Sequence, residues 1–169
     1  MTAQIPCRPT GDIVGDNAHA LQNIWLQVRG ERIAPRRRDI TLPMVGRLAQ
    51  WLWWADVIDR GTDYIFRMAG DRVIQFYGRS FNGTHLSALT PIAFMQTKRN
   101  AFAHCVKHKA PLVLGPHISS YPDKECWEIE MLFLPLSENG TDVTGIMGSL
   151  EYWPVGTHQP ATTKKAAMP

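Results

Sequence analysis

Apolar and polar positions alternate most sharply in two stretches. Between Asp63 and Ala69, Tyr64, Phe66 and Met68 alternate with Ile65, Arg67 and Ala69, the period of a strand that buries one face. From Trp127 to Leu134, Trp127, Ile129, Met131 and Phe133 alternate with Glu128, Glu130, Leu132 and Leu134. Pro135 is expected to end that strand, and Ser137-Glu138-Asn139-Gly140 reads as a hairpin loop into a last strand over 143–152. Gly145 and Gly148 on that last strand permit a bulge or the close approach of a helix or ligand. Leu112-Val113-Leu114 begins a further strand running towards His117-Ile118. Trp51 to Ile58 is rich in strand formers, and Asp59-Arg60-Gly61-Thr62 turns it back into the strand at 63–69, which predicts an antiparallel hairpin.

The helical period occupies other segments. Leu21, Ile24, Trp25 and Val28 form one stripe of a helix from Ala18 to about Arg29, with Asp16 or Asn17 as its cap and Gly30 at its end. A shorter helix starts at Asp39 or Thr41, with Pro43 in its first turn and Leu42, Met44, Val45 and Leu48 on its apolar side. Val73, Ile74, Phe76 and Tyr77 suit a short helix that Gly78 ends. Asn82-Gly83 is then a turn, and Thr84–Leu89 a second short turn or helical segment. Thr90-Pro91 starts the longest helix, which runs to about Lys107. Inward candidates on it are Phe94 or Met95, Ala101 or Phe102, and Cys105 or Val106.

Two helices, two strands, a short helical crossover, a long helix and three strands predict an α+β domain: a five-stranded antiparallel sheet covered on one face by helices, with an N-terminal helical extension. Residues 1–16 read as a flexible lead-in, 17–154 as a single domain (17–49 the extension, 50–154 the core) and 155–169 as a flexible tail. A chain of 169 residues, 44% apolar and 20% charged, fits that one globular domain. No apolar run reaches the roughly eighteen residues of a spanning helix, and the N-terminus lacks a signal-peptide core, so the expected compartment is the cytoplasm.

A net charge of +3 argues against a nucleic-acid partner. Arg29, Arg32, Arg36, Arg37 and Arg38 do crowd one segment, and a connector whose arginines meet acidic groups elsewhere accounts for them. Cys7, Cys105 and Cys126 form neither a disulfide framework nor a CxxC knuckle. His104 and His108 share a helix face and are metal candidates, but no third ligand stands at a recognisable spacing. Cys105 as a nucleophile and Glu128 with Glu130 as paired acids are the enzymatic readings, and ordinary structural roles account for both. Trp51, Trp53 and Trp54 invite a ligand cage, against which stands simple packing of a strand between helices. Gly78 to Gly83 lacks the Lys-Ser/Thr of a phosphate loop.

The order of elements resembles a PAS domain, and in detail a stand-alone PAS-like family found widely in alphaproteobacteria. The residues that carry the resemblance are Ile24-Trp25 with Arg29, Ile33-Ala34-Pro35-Arg36-Arg37, Asp63 to Gly70, Tyr77-Gly78-Arg79 and Gly83-Thr84-His85-Leu86. It covers about residues 17–154 and implies a five-stranded sheet with a central pocket and an extension often used for pairing. Some PAS domains bind haem through a histidine, for which His85, His104 and His108 are the candidates; the cysteine-bearing stretch of flavin photosensors is absent. The resemblance implies a non-enzymatic sensory or regulatory module, acting through a homodimer or a protein partner and requiring no particular cofactor. Its pocket would take a small apolar or weakly anionic organic ligand. The candidate lining is Tyr64, Phe66, Arg67, Met68, Phe76, Tyr77, Phe102, Trp127, Met131 and Met147. Arg67 would hold an anion if it faces the pocket and is a solvated cation if it faces out. The alternatives are an interaction module with a filled core, a haem or metal sensor, and a small enzyme.

Overall fold

The computed structural model describes residues 7–8, 12–89 and 92–157, without the side chains of 7, 8 and 92–94. The helix start at Thr90-Pro91, most of the lead-in and nearly all of the tail lie outside those residues. The elements in chain order are β1 (Cys7–Arg8), α1 (Asp16–Arg29), α2 (Leu42–Val45), β2 (Leu52–Ile58), β3 (Asp63–Ala69) and α3 (Asp71–Tyr77). They continue with α4 (Ile92–His108), β4 (Leu112–Ile118), β5 (Trp127–Leu136) and β6 (Gly145–Pro154). Five antiparallel strands in the order β4-β5-β6-β2-β3 make an open sheet, and the two residues of β1 pair with the β4 edge. The α+β fold expected from the sequence is the fold observed.

Alternation along each strand splits the sheet into two faces with separate cores. On the inner face Trp53, Tyr64, Phe66, Ile129, Met131, Phe133 and Leu150 meet α3, α4 and the crossover between them. On the outer face Leu52, Val113, Leu132, Leu134 and Met147 meet α1 and the segment through α2. The N-terminal extension thus roofs the second face. Trp25 is fully buried there, and its indole N–H donates to the Pro135 carbonyl at 2.8 Å.

Helix α1 begins two residues earlier than expected, at Asp16, because its cap is not a neighbour in sequence. Glu130 and Glu151 face each other across β5 and β6 on the outer face. Glu130 accepts the Val14 and Gly15 N–H groups, and Glu151 accepts the Ala18 N–H at 2.6 Å. Two carboxylates thereby satisfy donors that a helix start leaves unpaired, at the positive end of its dipole. Gly15 leaves room for this: a Cβ there would lie 2.3 Å from a Glu151 oxygen.

Two local expectations need correction. Leu42 and Met44 are exposed, 72% and 42%, so only Val45 of α2 is buried, and the turn tightens into a 3-10 segment over Gly46–Trp51. Pro135 lies inside β5, paired with Ile146. It is tolerated because β4 ends opposite Phe133, so no strand on that side needs an N–H from it. The three tryptophans do not converge. Trp53 faces inwards at Gly148, whose missing Cβ would meet the ring at 2.5 Å; Trp54 lies under Arg37, 3.9 Å away; Trp51 packs on Tyr152.

Candidate functional site

Between the inner face and the α3–α4 layer lies a small apolar cavity. Trp53 comes from β2, Phe66 and Ala69 from β3, Val73 and Tyr77 from α3, and Met95, Lys98 and Phe102 from α4. Arg79, Phe81 and Leu89 of the crossover, Tyr121 after β4 and Met131 of β5 complete it. The aromatic part is tightly interlocked, with Phe102 5.4 Å from Trp53, 4.5 Å from Tyr64 and 5.5 Å from Phe133 between ring centres. The cavity volume is about 30 Å³, room for a water or two or a group of similar size.

One wall is polar. Lys98 is only 6% exposed and its Nζ donates to the Tyr77 hydroxyl at 2.5 Å. Burial pushes the Lys98 amine well below its ordinary value and the Tyr77 phenol well above its own. Both shifts favour the uncharged forms of the pair. Burial, with a smaller contribution from Lys98, pulls His117 down to about 4. Among the described residues, the Trp53 indole N–H, the Tyr64 hydroxyl and His117 Nδ1 have no hydrogen-bond partner, and all three are buried.

Outside the wall a surface cleft of about 630 Å³ is lined by Tyr77, Gly78, Arg79, Tyr121, Pro122, Asp123 and Lys124. Tyr77, Arg79 and Tyr121 belong to both spaces and separate them. Their rings are braced edge to face: Tyr77 stands 5.0 Å from Tyr121 and 5.0 Å from Phe81.

Of the residues expected to line a pocket, Phe66, Tyr77, Phe102 and Met131 come together here. Tyr64 stands behind Phe102. Phe76 packs on Tyr77 and Tyr152, and Trp127 on Tyr152, in the same core but off the cavity. Met68 and Met147 belong to the outer face and are corrected accordingly. The cause for Met68 is a bulge: Phe66 pairs with Ala55 but Met68 with Trp54, leaving Arg67 as the extra residue. Beyond Arg67 the alternation inverts, so Ala69 points inwards instead of Met68. Met147 alternates with the inward Ile146. Arg67 points outwards and its Nε donates to Asp56 at 2.7 Å, with both side chains nearly half exposed.

The histidines lie elsewhere. His85 pairs through Nδ1 with Asp63 at 3.0 Å on the surface. Burial pushes Asp63 up, but hydrogen bonds from Ser87, the Tyr64 N–H and His85 outweigh it and hold the carboxyl below its ordinary value. His104 and His108 stack on α4 with ring centres 4.4 Å apart, and burial, then His108 and Lys107, lower His104. Among the described residues no three His, Cys, Asp or Glu side chains cluster as a metal site. Cys105 is fully buried in the inner core, and Glu130 is engaged in capping α1. In the arginine-rich segment, Arg32 and Arg36 meet Asp39, and the Arg37 N–H bonds to Glu138.

Lys98, the polar centre of the cavity, is the residue the sequence reading missed. Its position carried a signal, since Met95, Lys98, Phe102 and Cys105 follow one helical stripe. Compared with known proteins, the chain matches a family model described as PAS domain over residues 15–151. No curated protein and no solved structure matches it.

Proposed function

The chain belongs to the PAS domain family, and from that premise we propose a sensory or regulatory module whose inner-face cavity takes a small organic ligand. The observation that carries this reading is the Lys98–Tyr77 pair, buried in a wall of otherwise apolar side chains. Burying an amine costs stability that apolar residues would not. A strongly perturbed ionisable group beside a cavity is the common mark of a working site. Tyr77, Arg79 and Tyr121 stand between the cavity and the surface cleft, so a ligand entering from the cleft would pass them. The module needs no metal or prosthetic group for this and works in the cytoplasm; no helix among the described residues is long and apolar enough to cross a membrane.

A second reading, compatible with the first, is self-association through the extension. Leu26 on α1 and Leu42 and Met44 on α2 expose large apolar side chains, and the two helices pack on one another. Signalling would then pass from the inner core through the sheet to the α1 face. Native mass spectrometry of freshly purified protein tests both readings at once. An added small mass that disappears on denaturation supports the ligand, and a dimer peak supports pairing. Bare monomer, unchanged after incubation with candidate ligands, contradicts both.

A further inference from the structure

We propose a second ligand site on the outer face of the sheet: a groove beneath α2 that takes a medium-chain organic anion, its carboxylate on Arg37 and its chain along Met68, Trp54 and Met147. The inference goes beyond the inner-face cavity and does not depend on it.

Strand register makes the floor of this groove. Met68 of β3 pairs with Trp54 of β2, and Trp54 pairs with Met147 of β6, so the three stand in one row across three strands. The bulge at Arg67 is what puts Met68 on this face. Two thioethers beside an indole give an apolar floor that can adjust to a flexible chain. Leu52 extends the floor, and Leu42 and Val45 of α2 wall it. The groove has a volume of about 280 Å³, against about 30 Å³ for the inner cavity. It therefore comes close to the roughly 300 Å³ at which small-molecule sites begin. Leu42 at its rim is 72% exposed, and a chain lying in the groove would cover apolar surface that otherwise meets water.

The sign of the ligand's charge follows from Arg37, the one charged side chain in the described lining. Its guanidinium lies 3.9 Å over the Trp54 ring, at the middle of the floor row. Nη1 donates to the Ile40 carbonyl at 2.9 Å, whereas Nε is buried with no hydrogen-bond partner among the described residues. The acids nearby are engaged elsewhere. Asp39 pairs with Arg32 and Arg36. Glu138 accepts the main-chain N–H of Arg37 at 2.8 Å and lines the neighbouring cleft, not this groove. The guanidinium fork therefore keeps donor capacity, which a carboxylate matches better than a neutral group does. A cationic head would meet Arg37 with no acid in the described lining to offset the repulsion. Arg38 and Arg47, both exposed, bracket α2 in sequence and make the approach more positive.

The test is an NMR titration of the full chain, carrying carbon-13 in its methionine methyl groups, with octanoate well below its micelle concentration. The expected result is a saturable shift of the Met68 and Met147 signals, with those of Met95 and Met131 in place. Octyltrimethylammonium should give no such shift. Octanol should bind on the order of tenfold more weakly, the worth of a hydrogen bond to a charged group. Arg37→Gln should weaken octanoate by a similar factor and change octanol little. A melting curve for the variant shows that it folds, and the comparison of the three probes on the unaltered chain decides the matter without it. The outer site is overturned if octanol or the ammonium binds as tightly as octanoate, or if Arg37→Gln keeps full affinity. Shifts at Met95 and Met131 instead, or no shift at high octanoate concentration, overturn it as well. None of these results bears on the inner cavity, which the mass spectra of the native protein test separately.

Discussion

At the scale of single residues, the inner core is shaped by burial acting on ionisable groups. His117 illustrates the consequence for stability. Its folded pKa is lowered to about 4, against about 6.5 in an unfolded chain. Between those values the unfolded chain binds the proton and the native one does not. The histidine's contribution is therefore complete above pH ~6.5 and is lost as pH falls towards 4. An NMR titration of the ring resonances should place the His117 midpoint near 4. A midpoint near the ordinary value would mean that His117 is hydrated and that the Lys98 side of the cavity is more open than described.

At the scale of elements, α1 is held by contacts that its own sequence does not announce. Its stripe of Leu21, Ile24, Trp25 and Val28 is legible, since helical spacing alone predicts it. Its start is not, because the caps come from Glu130 and Glu151, more than a hundred residues away. Glu130→Ala would leave the Val14 and Gly15 N–H groups without their acceptor, at a cost of ~1–3 kcal/mol. Denaturant unfolding should show that loss, and hydrogen exchange should show it concentrated in α1. Full stability in the variant would contradict the capping account. Strand β3 shows the same limit of local reading. Its alternation is real up to Phe66, but the bulge at Arg67 depends on register with β2, and register is a property of two strands. One extra residue moved Met68 to the outer face.

At the scale of the whole molecule, one sheet separates two cores. The outer face is closed by α1 and the arginine-rich connector, whose Arg37 stacks on Trp54. The inner face keeps the cavity, a buried amine and three buried polar atoms that have no hydrogen-bond partner among the described residues. The order of elements and the strand pairing at the hairpin were legible because periodicity and turn residues fix them locally. The cavity was half legible: Phe66, Tyr77, Phe102 and Met131 follow from the inward stripes, whereas Lys98 sits where a hydrophobic residue is the ordinary expectation.

The methionines make the division between faces measurable. Met95 and Met131 line the cavity, while Met68 and Met147 lie across the sheet. With carbon-13 in the methionine methyl groups, titration with a small organic probe such as methanol should shift the Met95 and Met131 signals and leave those of Met68 and Met147 in place. Shifts confined to Met68 and Met147, or no shift at high probe concentration, would contradict the inner-face cavity as the ligand site proposed here.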